Sequence, residues 1–307
     1  MKTTKLHLFT IALLFGLHAS GFAQGCSDAG FCTAESYKPQ TMKSDSAEVI
    51  HKNVFKIGFS NGKADRNIDI VGMSIEYSRI FTKKIGLNLK LTGLSQSGKE
   101  YKALGLSDLY INGNYSLAKP VTISAGVKLP FTAGNEKKGT IPLPMDYQTS
   151  LGTIDLIAGI SYTIKNLKLV AAIQQPISQN KNAFLQTNHD STSEFYSFNS
   201  TNQYIRKGDV LLRIAYSINA GKKLSITPSL LPIYHLGNDS YTDSSGIKTA
   251  IIGSQGLTFN GNLFVEYSIN KQNVIELSFG TPFITRKVRP DGLTRKYVIA
   301  LEYKIYF

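Results

Sequence analysis

The chain has 307 residues with a formal net charge of +13, 42% hydrophobic residues and no tryptophan. Its basic residues lie in turns and loops, as at Lys83-Lys84 and Lys222-Lys223, and do not interleave with aromatic side chains, which argues against a nucleic-acid-binding protein. Beyond residue 17 no apolar run is long enough for a transmembrane helix, which argues against a helical membrane protein.

Residues 1–23 predict a signal peptide. Lys2 and Lys5 precede a short apolar core over residues 6–17, and small residues near Ala23 suit cleavage by a signal peptidase. A buried N-terminal helix is one alternative, and a lipoprotein signal cut before Cys26 is another. Export would place the remainder of the chain outside the reducing cytoplasm.

Residues 24–52 form a polar N-terminal segment that contains both cysteines of the chain. Cys26 and Cys32 are too widely spaced for a C-x-x-C redox motif, so in an exported protein they predict a small disulfide loop. This segment is predicted to be either a plug inside the following domain or a periplasmic tail.

From residue 53 to residue 307 the chain alternates apolar and polar residues, which predicts about twelve β-strands. The last strand shows the pattern most clearly, since one parity is apolar and the other carries Glu302 and Lys304. Its apolar parity consists of Tyr297, Ile299, Leu301, Tyr303, Ile305 and Phe307. The pattern recurs at 71–77, 85–91, 109–117, 121–131, 154–164, 167–173, 210–216, 224–234, 257–267 and 275–279, with a weaker first strand at 54–60.

Short and long connections are predicted to alternate along these strands. The short ones are 82–84, 118–120, 165–166, 219–223 and 270–273; the long ones are 61–67, 95–106, 132–150, 178–208, 237–256 and 281–294. Tight turns at one end and long loops at the other are typical of outer-membrane barrels. We therefore predict an all-β protein: a transmembrane, antiparallel, up-and-down β-barrel of about 12 to 14 strands in the bacterial outer membrane, with both termini periplasmic. A soluble sandwich or lipocalin-like barrel, with the apolar parity inside, is the alternative.

The polar parity is predicted to line the lumen. Acids and bases are nearly balanced there, which predicts ion pairs across the lumen and a narrow or gated passage; a merely solvated wall is the alternative. The lumen and gating candidates are Lys90, Asp108, Lys128, Asp155, Lys168, Arg213, Glu266, Glu276 and Glu302, accompanied by Lys56, Glu76, Lys304, Asn112, Asn114, Asn260 and Asn262.

Two further features are candidates for gating. The loop over residues 178–208 is too long for a simple connection, and its aromatic side chains predict either a landing site for hydrophobic solutes or a surface flap. These solute-contact candidates are Phe184, Phe195, Tyr196, Phe198 and Tyr204. Pro228 and Pro232 lie within one predicted strand, where proline removes ladder hydrogen bonds, so they predict a local opening in the wall or a kink.

Catalysis finds little support in the sequence. His235 shares a parity with Ser229, but their spacing along a strand is too great for a Ser–His hydrogen bond, although a partner from another strand would leave a lipase or deacylase open. No phosphate loop or metal motif is recognisable, and we expect neither a cofactor nor a catalytic site. The expected partners are membrane lipid, anionic lipopolysaccharide and, through the strand ending at Phe307, the barrel-assembly machinery.

One segment resembles a known family. Residues 141–155 read IPLPMDYQTSLGTID, which is similar to the Pro-rich loop and Gly-Thr-x-Asp strand start of the phenol-degradation-pathway outer-membrane proteins, grouped with the long-chain fatty-acid transporters. The resemblance implies uptake of small hydrophobic or aromatic solutes through a plugged barrel, with release through a gap in its wall. A barrel that does not transport, and acts in adhesion, structure or envelope contacts through its loops, is the competing expectation.

Overall fold

The computed structural model describes Lys38 and residues 52–99, 101–118, 120–293 and 295–307. Within these residues twelve antiparallel strands form a closed β-barrel, which confirms the predicted fold class. The strands are β1 (Asn53–Ala64), β2 (Asp69–Ile80), β3 (Ile85–Ser97), β4 (Lys102–Ala118), β5 (Val121–Pro130), β6 (Asp155–Ile164), β7 (Leu167–Pro176), β8 (Asp209–Tyr216, continued by Ile218–Ala220), β9 (Leu224–His235), β10 (Gly256–Ser268), β11 (Asn273–Ile284) and β12 (Arg295–Tyr306). In these same stretches of chain, no helix is long and apolar enough to cross a membrane.

Each strand pairs with its neighbours in sequence, and the ring closes because β1 also pairs with β12. β8 is interrupted at Ser217, and both of its parts pair with β9 in one continuous register. The first and last residues of the barrel also meet, since the Asn53 amide donates to the Phe307 carbonyl at 2.9 Å and the Phe307 amide donates back at 3.0 Å. Closure leaves the barrel sheet, as far as it is described, without an open edge that could pair with another molecule.

The alternation of side chains turns the apolar parity outward. Leu156, Leu212 and Leu301 are each about half exposed, at 52%, 51% and 51%. The polar parity points into the barrel, where Glu302 and Lys304 retain 7% and 3% of their exposure. A sandwich or lipocalin-like barrel would bury the apolar parity instead, so this arrangement rejects the soluble alternative considered for the sequence.

The connections differ in length between the two ends of the barrel. Residues 81–84, 165–166, 221–223 and 269–272 make tight turns at the end where Asn53 and Phe307 lie, here called the turn end, and β4 ends and β5 begins there, at Ala118 and Val121. At the opposite end, two predicted long loops prove short. The first spans 65–68 because β1 continues to Ala64, and the second is confined between the end of β3 at Ser97 and the start of β4 at Lys102. The alternation of loop lengths therefore begins later along the chain than predicted.

The four remaining long connections pack together over the other end and form what we call the cap (residues 131–154, 177–208, 236–255 and 285–294). Its irregular course includes the ribbons Lys137–Lys138 with Ile141–Pro142 and Ser240–Thr242 with Lys248–Ala250, and 3-10 turns at Met145–Tyr147, Gln186–Asn188 and Glu194–Ser197. One apolar cluster joins Leu143, Tyr147, Phe184, Phe195 and Phe198 to the rim of the barrel at Ile68. Because these side chains come from different loops, the cap is a packed unit.

Candidate functional site

The lumen contains the polar side chains predicted for it. All nine gating candidates named from the sequence are at least nine-tenths buried and point inward, as do Lys56, Glu76, Lys304, Asn112 and Asn260. Their position follows from the two-residue period of a strand, which puts every second side chain on the inner face. The structure shows that these side chains lie inside the barrel, and their role in gating remains a prediction.

The ion pairs of the lumen wall join neighbouring strands. Lys56 contacts Glu76 at 3.1 Å, and Lys128 contacts Asp155 at 3.0 Å; in both pairs the residues face each other in register. The prediction of pairs across the lumen is therefore wrong for these residues. Facing positions on adjacent strands are about 5 Å apart, so charges find a partner on the next strand before they reach across the barrel.

Three glutamates form a row on adjacent strands at the same level. Glu266 on β10 faces Glu276 on β11, which in turn faces Glu302 on β12. Lys304 contacts Glu266 and lies 2.6 Å from Glu276. Adjacent carboxylates repel one another in a buried site and need cations to remain charged, and Lys304 supplies one positive charge to this row of three acids.

A second cation comes from outside the strands and crosses the lumen. The Lys38 ammonium is 2.6 Å from Glu302 and 3.4 Å from Glu276. Its main-chain carbonyl accepts a hydrogen bond of 2.6 Å from the Lys168 ammonium on β7. β7 and β12 lie five strands apart in a ring of twelve, on nearly opposite walls. No pattern in the sequence singles out Lys38, because it belongs to residues 24–52, which lack the alternation of a strand.

The segment that suggested a family resemblance enters the mouth of the barrel. We call residues 143–153 the inward loop; all of them are buried. Gln96 donates to the Gln148 carbonyl at 3.0 Å, and Lys128 donates to the Thr153 hydroxyl at 2.8 Å. Ser150 donates to Asp108 at 2.6 Å. These contacts attach the loop to β3, β4 and β5, so that it narrows the lumen below the cap.

An acidic side chain is buried where the inward loop meets the rim. Asp146 is 6% exposed, and its carboxylate lies 3.5 Å from the Arg66 guanidinium. Burial, opposed in part by Arg66, raises the pKa of Asp146 from 3.8 to about 6. Gly292 has φ +64 and packs so tightly against Asp146 that a Cβ there would lie 2.7 Å from its Cα. The inward loop is therefore locked beneath the connection 285–294.

Between Lys38 and the inward loop lies a cavity of about 120 Å³. Its lining mixes polar and apolar residues, and the polar ones include Ser74, Lys90, Gln148, Arg213, Asn262 and Glu302. Phe264 contributes an aromatic face, over which the Arg213 guanidinium lies at 5.8 Å. Charged, hydroxyl and amide groups of this kind suit a polar solute better than an apolar one.

A network of charges ties the cap loops to the rim of the barrel. His235, the last residue of β9, lies between two carboxylates, with Nδ1 2.7 Å from Asp209 and Nε2 2.8 Å from Asp239. Arg206 contacts Asp209 at 2.6 Å, and Tyr204 donates to Asp239 at 2.7 Å. A neutral imidazole carries one N–H, so it can donate to both acids only when protonated.

The network continues at Asp291, which is 1% exposed. Arg286 donates to it at 2.8 Å, and Arg206 approaches it at 3.5 Å. Burial would raise the pKa of the Asp291 carboxyl, but these two guanidinium groups hold it well below its ordinary value. The connection 285–294 therefore joins the loop 177–208 through a charged pair that persists at acidic pH.

The aromatic residues predicted to contact solute have a different position. Phe184, Phe195, Phe198 and Tyr204 are at most 3% exposed. The first three pack with Tyr147 inside the cap, where Phe184 also stacks on His189 at 5.0 Å. The sequence predicts either a landing site or a surface flap for them, because it does not reveal the loops that cover these side chains. Tyr196, at 45% exposure, is the member of the set that reaches the surface.

Pro228 and Pro232 weaken one seam of the wall. The Leu236 amide donates to the Gly208 carbonyl, and since alternate residues of a strand direct their backbone groups to the same neighbour, both prolines face β8. Neither has an N–H to donate. The pairing between β8 and β9 has gaps at residues 212–213 and 216–217, opposite the prolines. β9 pairs continuously with β10 on its other side, so the missing hydrogen bonds lie at the β8–β9 seam. A local opening or a kink there stays a prediction.

The remaining sequence predictions concern the cysteines with the signal peptide, and catalysis at His235 and Ser229. Cys26, Cys32 and the signal peptide lie outside the described residues. Ser229 lies in β9 together with His235, whose two ring nitrogens face carboxylates. In the described part of the chain, no group of three or more His, Cys, Asp or Glu side chains is arranged to hold a metal ion.

No protein-family model matches the chain, and no curated protein matches it. Among solved structures it is similar to a monoaromatic hydrocarbon channel, CymD, with 9% identity over 94% of each chain and a TM-score of 0.45. It is also similar to the KdgM porin, with 10% identity over 82% of this chain and 99% of the porin and a TM-score of 0.43. For the NanC porin the values are 8% identity, 83% and 98% coverage, and a TM-score of 0.45.

Likeness at this level does not assign an activity or a solute. The resemblance of residues 141–155 to the phenol-degradation-pathway proteins is likewise not confirmed by a family match. The functional argument therefore depends on the chain's own geometry.

Proposed function

We propose that the chain is an integral β-barrel of the bacterial outer membrane and a gated channel for small solutes. The location is supported by the outward parity, whose half-exposed leucines and isoleucines surround the barrel. An apolar belt of this kind is unfavourable in water and favourable against lipid. Lysines in the exposed turns and loops of the protein would contact anionic lipid or lipopolysaccharide.

The ends of the barrel supply the orientation that we propose. The turn end holds the tight turns together with Lys52 and Phe307, whereas the cap is built from the long connections. Outer-membrane barrels place short turns in the periplasm and long loops outside. Both ends of the barrel sequence would then face the periplasm, where the assembly machinery meets the last strand.

The observation that carries the channel proposal is Lys38 in the lumen. It is held by Lys168 on one wall and by Glu276 and Glu302 on the other, while the inward loop narrows the mouth. A barrel with a polar lumen, obstructed by a segment that is not part of the wall, has the parts of a closed channel. We infer that residues 24–52 act as its plug, and that opening requires Lys38 to leave Glu302.

For the solute, the lining of the lumen supports small polar molecules. A second candidate, uptake of hydrophobic or aromatic solutes, is favoured by the β8–β9 seam, where two prolines leave gaps in the pairing. Such a solute would leave the lumen laterally, through the wall into the membrane, and would not pass the row of glutamates that includes Glu276. An envelope protein that binds through its cap and conducts nothing is the competing function.

The test is solute uptake into liposomes that contain the refolded barrel, with and without residues 24–52. Butanediol, a small sugar and a labelled phenol would be compared, with empty liposomes as the control. Slow uptake by the full chain that rises for polar solutes on truncation supports the plugged channel. A rise restricted to the phenol supports the hydrophobic candidate. No uptake in either form would refute transport and favour the binding function.

A further inference from the structure

The two carboxylates around the Lys38 ammonium indicate which kind of ligand the lumen can bind. A primary ammonium group lies between two buried carboxylates, 2.6 Å from Glu302 and 3.4 Å from Glu276. Glu302 is 7% exposed and Glu276 is 2% exposed. Charge-assisted hydrogen bonds of this length are among the strong ones in proteins. The lysine reaches this place from outside the strands, as a tethered ligand would.

The other cations near this place belong to the barrel wall, where Lys56 and Lys90 also act electrostatically on Glu302. Lys304 is shared between Glu266 and Glu276, and Lys56 is paired with Glu76. For Glu302, the ion pair within hydrogen-bonding distance is the one with Lys38. If Lys38 moves away, a buried carboxylate keeps its charge without that partner, which is costly unless another cation replaces it.

A second observation points to a ligand at the same place. The Oε2 atom of Glu302 has no hydrogen-bond partner among the described residues, although it is buried. Glu302 and Lys38 both line the cavity beneath the inward loop, next to Ser74 and Asn262. A donor that takes the place of Lys38 would therefore find a carboxylate oxygen without a partner, with hydroxyl and amide groups in the cavity lining for a polar tail.

We propose that Glu302 and Glu276 form a binding site for primary amines, which Lys38 occupies in the closed channel. This inference rests on the proposed channel function and names its solute class: small polar molecules that carry an ammonium group. An amine that reaches the site competes with Lys38 and releases it from the wall. Tethered groups compete at effective concentrations on the order of millimolar, so solute acts in that range.

The experiment uses the full chain in planar bilayers and liposomes, with 1,4-diaminobutane and 1,4-butanediol as a matched pair of probes. Lys38→Met removes the tethered ammonium, Lys38→Arg keeps a charge, and Lys222→Met changes a lysine in an exposed turn as the control. Lys38→Met is expected to open the channel and to favour diaminobutane over butanediol by about tenfold, which is about 1.4 kcal/mol. Lys38→Arg and Lys222→Met are expected to stay closed.

The double variant Lys38→Met with Glu302→Gln tests the site itself. It is expected to stay open and to lose the preference for the amine, since the amide carries no charge. In the unmodified chain, millimolar diaminobutane is expected to raise the flux of labelled butanediol, and unlabelled butanediol is not. An open Lys38→Met channel without preference for the amine, or with a preference that survives Glu302→Gln, would overturn the amine site and leave the channel standing. A Lys38→Met channel that stays closed would instead refute the plug, and with it the basis of the site.

Discussion

Asp146→Asn is predicted to stabilise the inward loop at neutral pH. Asp146 is buried beside Arg66, and burial raises its pKa from 3.8 to about 6. Above pH 6 the carboxyl is ionised whether the loop is packed or open, so the packed loop bears the full cost of the buried charge. Between pH 6 and about 4 the packed loop binds the proton more tightly than the open one, and its stability rises as pH falls.

The magnitude follows from the two pKa values. A change from 3.8 to about 6 corresponds to about 3 kcal/mol, at about 1.4 kcal/mol for each tenfold change in proton affinity. Asparagine has the shape of the carboxylate without its charge. Asp146→Asn should therefore recover up to about 3 kcal/mol at pH 7.5, which slows local opening by as much as about a hundredfold.

The assay is hydrogen exchange by mass spectrometry on peptides covering residues 143–153, after correction for the intrinsic pH dependence of exchange. Unmodified protein should exchange more slowly at pH 5 than at pH 7.5, and Asp146→Asn should be slow at both. Asp190→Asn, an exposed position in the cap, is the control. Faster exchange in Asp146→Asn at pH 7.5 would mean that the ion pair with Arg66 outweighs the cost of burial, and would refute this reasoning.

Three further predictions concern the cap and the wall. His235→Gln retains a donor for one carboxylate and loses the other charge-assisted bond, worth about 1.5–3 kcal/mol. Hydrogen exchange in residues 236–240 should therefore accelerate at least tenfold at pH 5, and unchanged protection would contradict a role of His235 in holding the cap to the rim. Phe195→Ala removes a side chain that is 3% exposed and should cost the cap about 3–5 kcal/mol, measured as faster proteolysis of residues 177–208, whereas Tyr196→Ala beside it should change little. Ala215→Cys with Ser229→Cys places cysteines at register partners across the β8–β9 seam. If hydrophobic solutes leave through the seam, oxidation to the disulfide should reduce phenol uptake and leave butanediol uptake unchanged. Equal phenol uptake before and after oxidation would exclude that route.

Much of the wall could be predicted from the sequence because a strand encodes its two faces in its own alternation. The placement of Leu301 outside and Glu302 inside follows from parity alone. The extent of the strands is less local: Asn61 and Lys63 break the apolar pattern, yet β1 continues through them because β2 and β12 provide backbone partners on both sides.

The cap and the site depend on contacts between distant parts of the chain. The aromatic residues of 178–208 resemble an exposed cluster in the sequence, since the residues that bury them, such as Tyr147 and Ile68, come from other loops. The carboxylates that flank His235 belong to β8 and to the following loop. Lys38 forms its ion pair with Glu302, 264 residues later, and no periodic pattern marks such a pair.

The central claim is that Lys38 closes the lumen, and single-channel current through the full chain tests it most directly. Matched bilayers with the unmodified protein and with Lys38→Met would be recorded at the same protein density and salt concentration. The proposal predicts a closed baseline for the unmodified chain and steady open currents for Lys38→Met. Open currents of equal size in both proteins, or none in either, would contradict it.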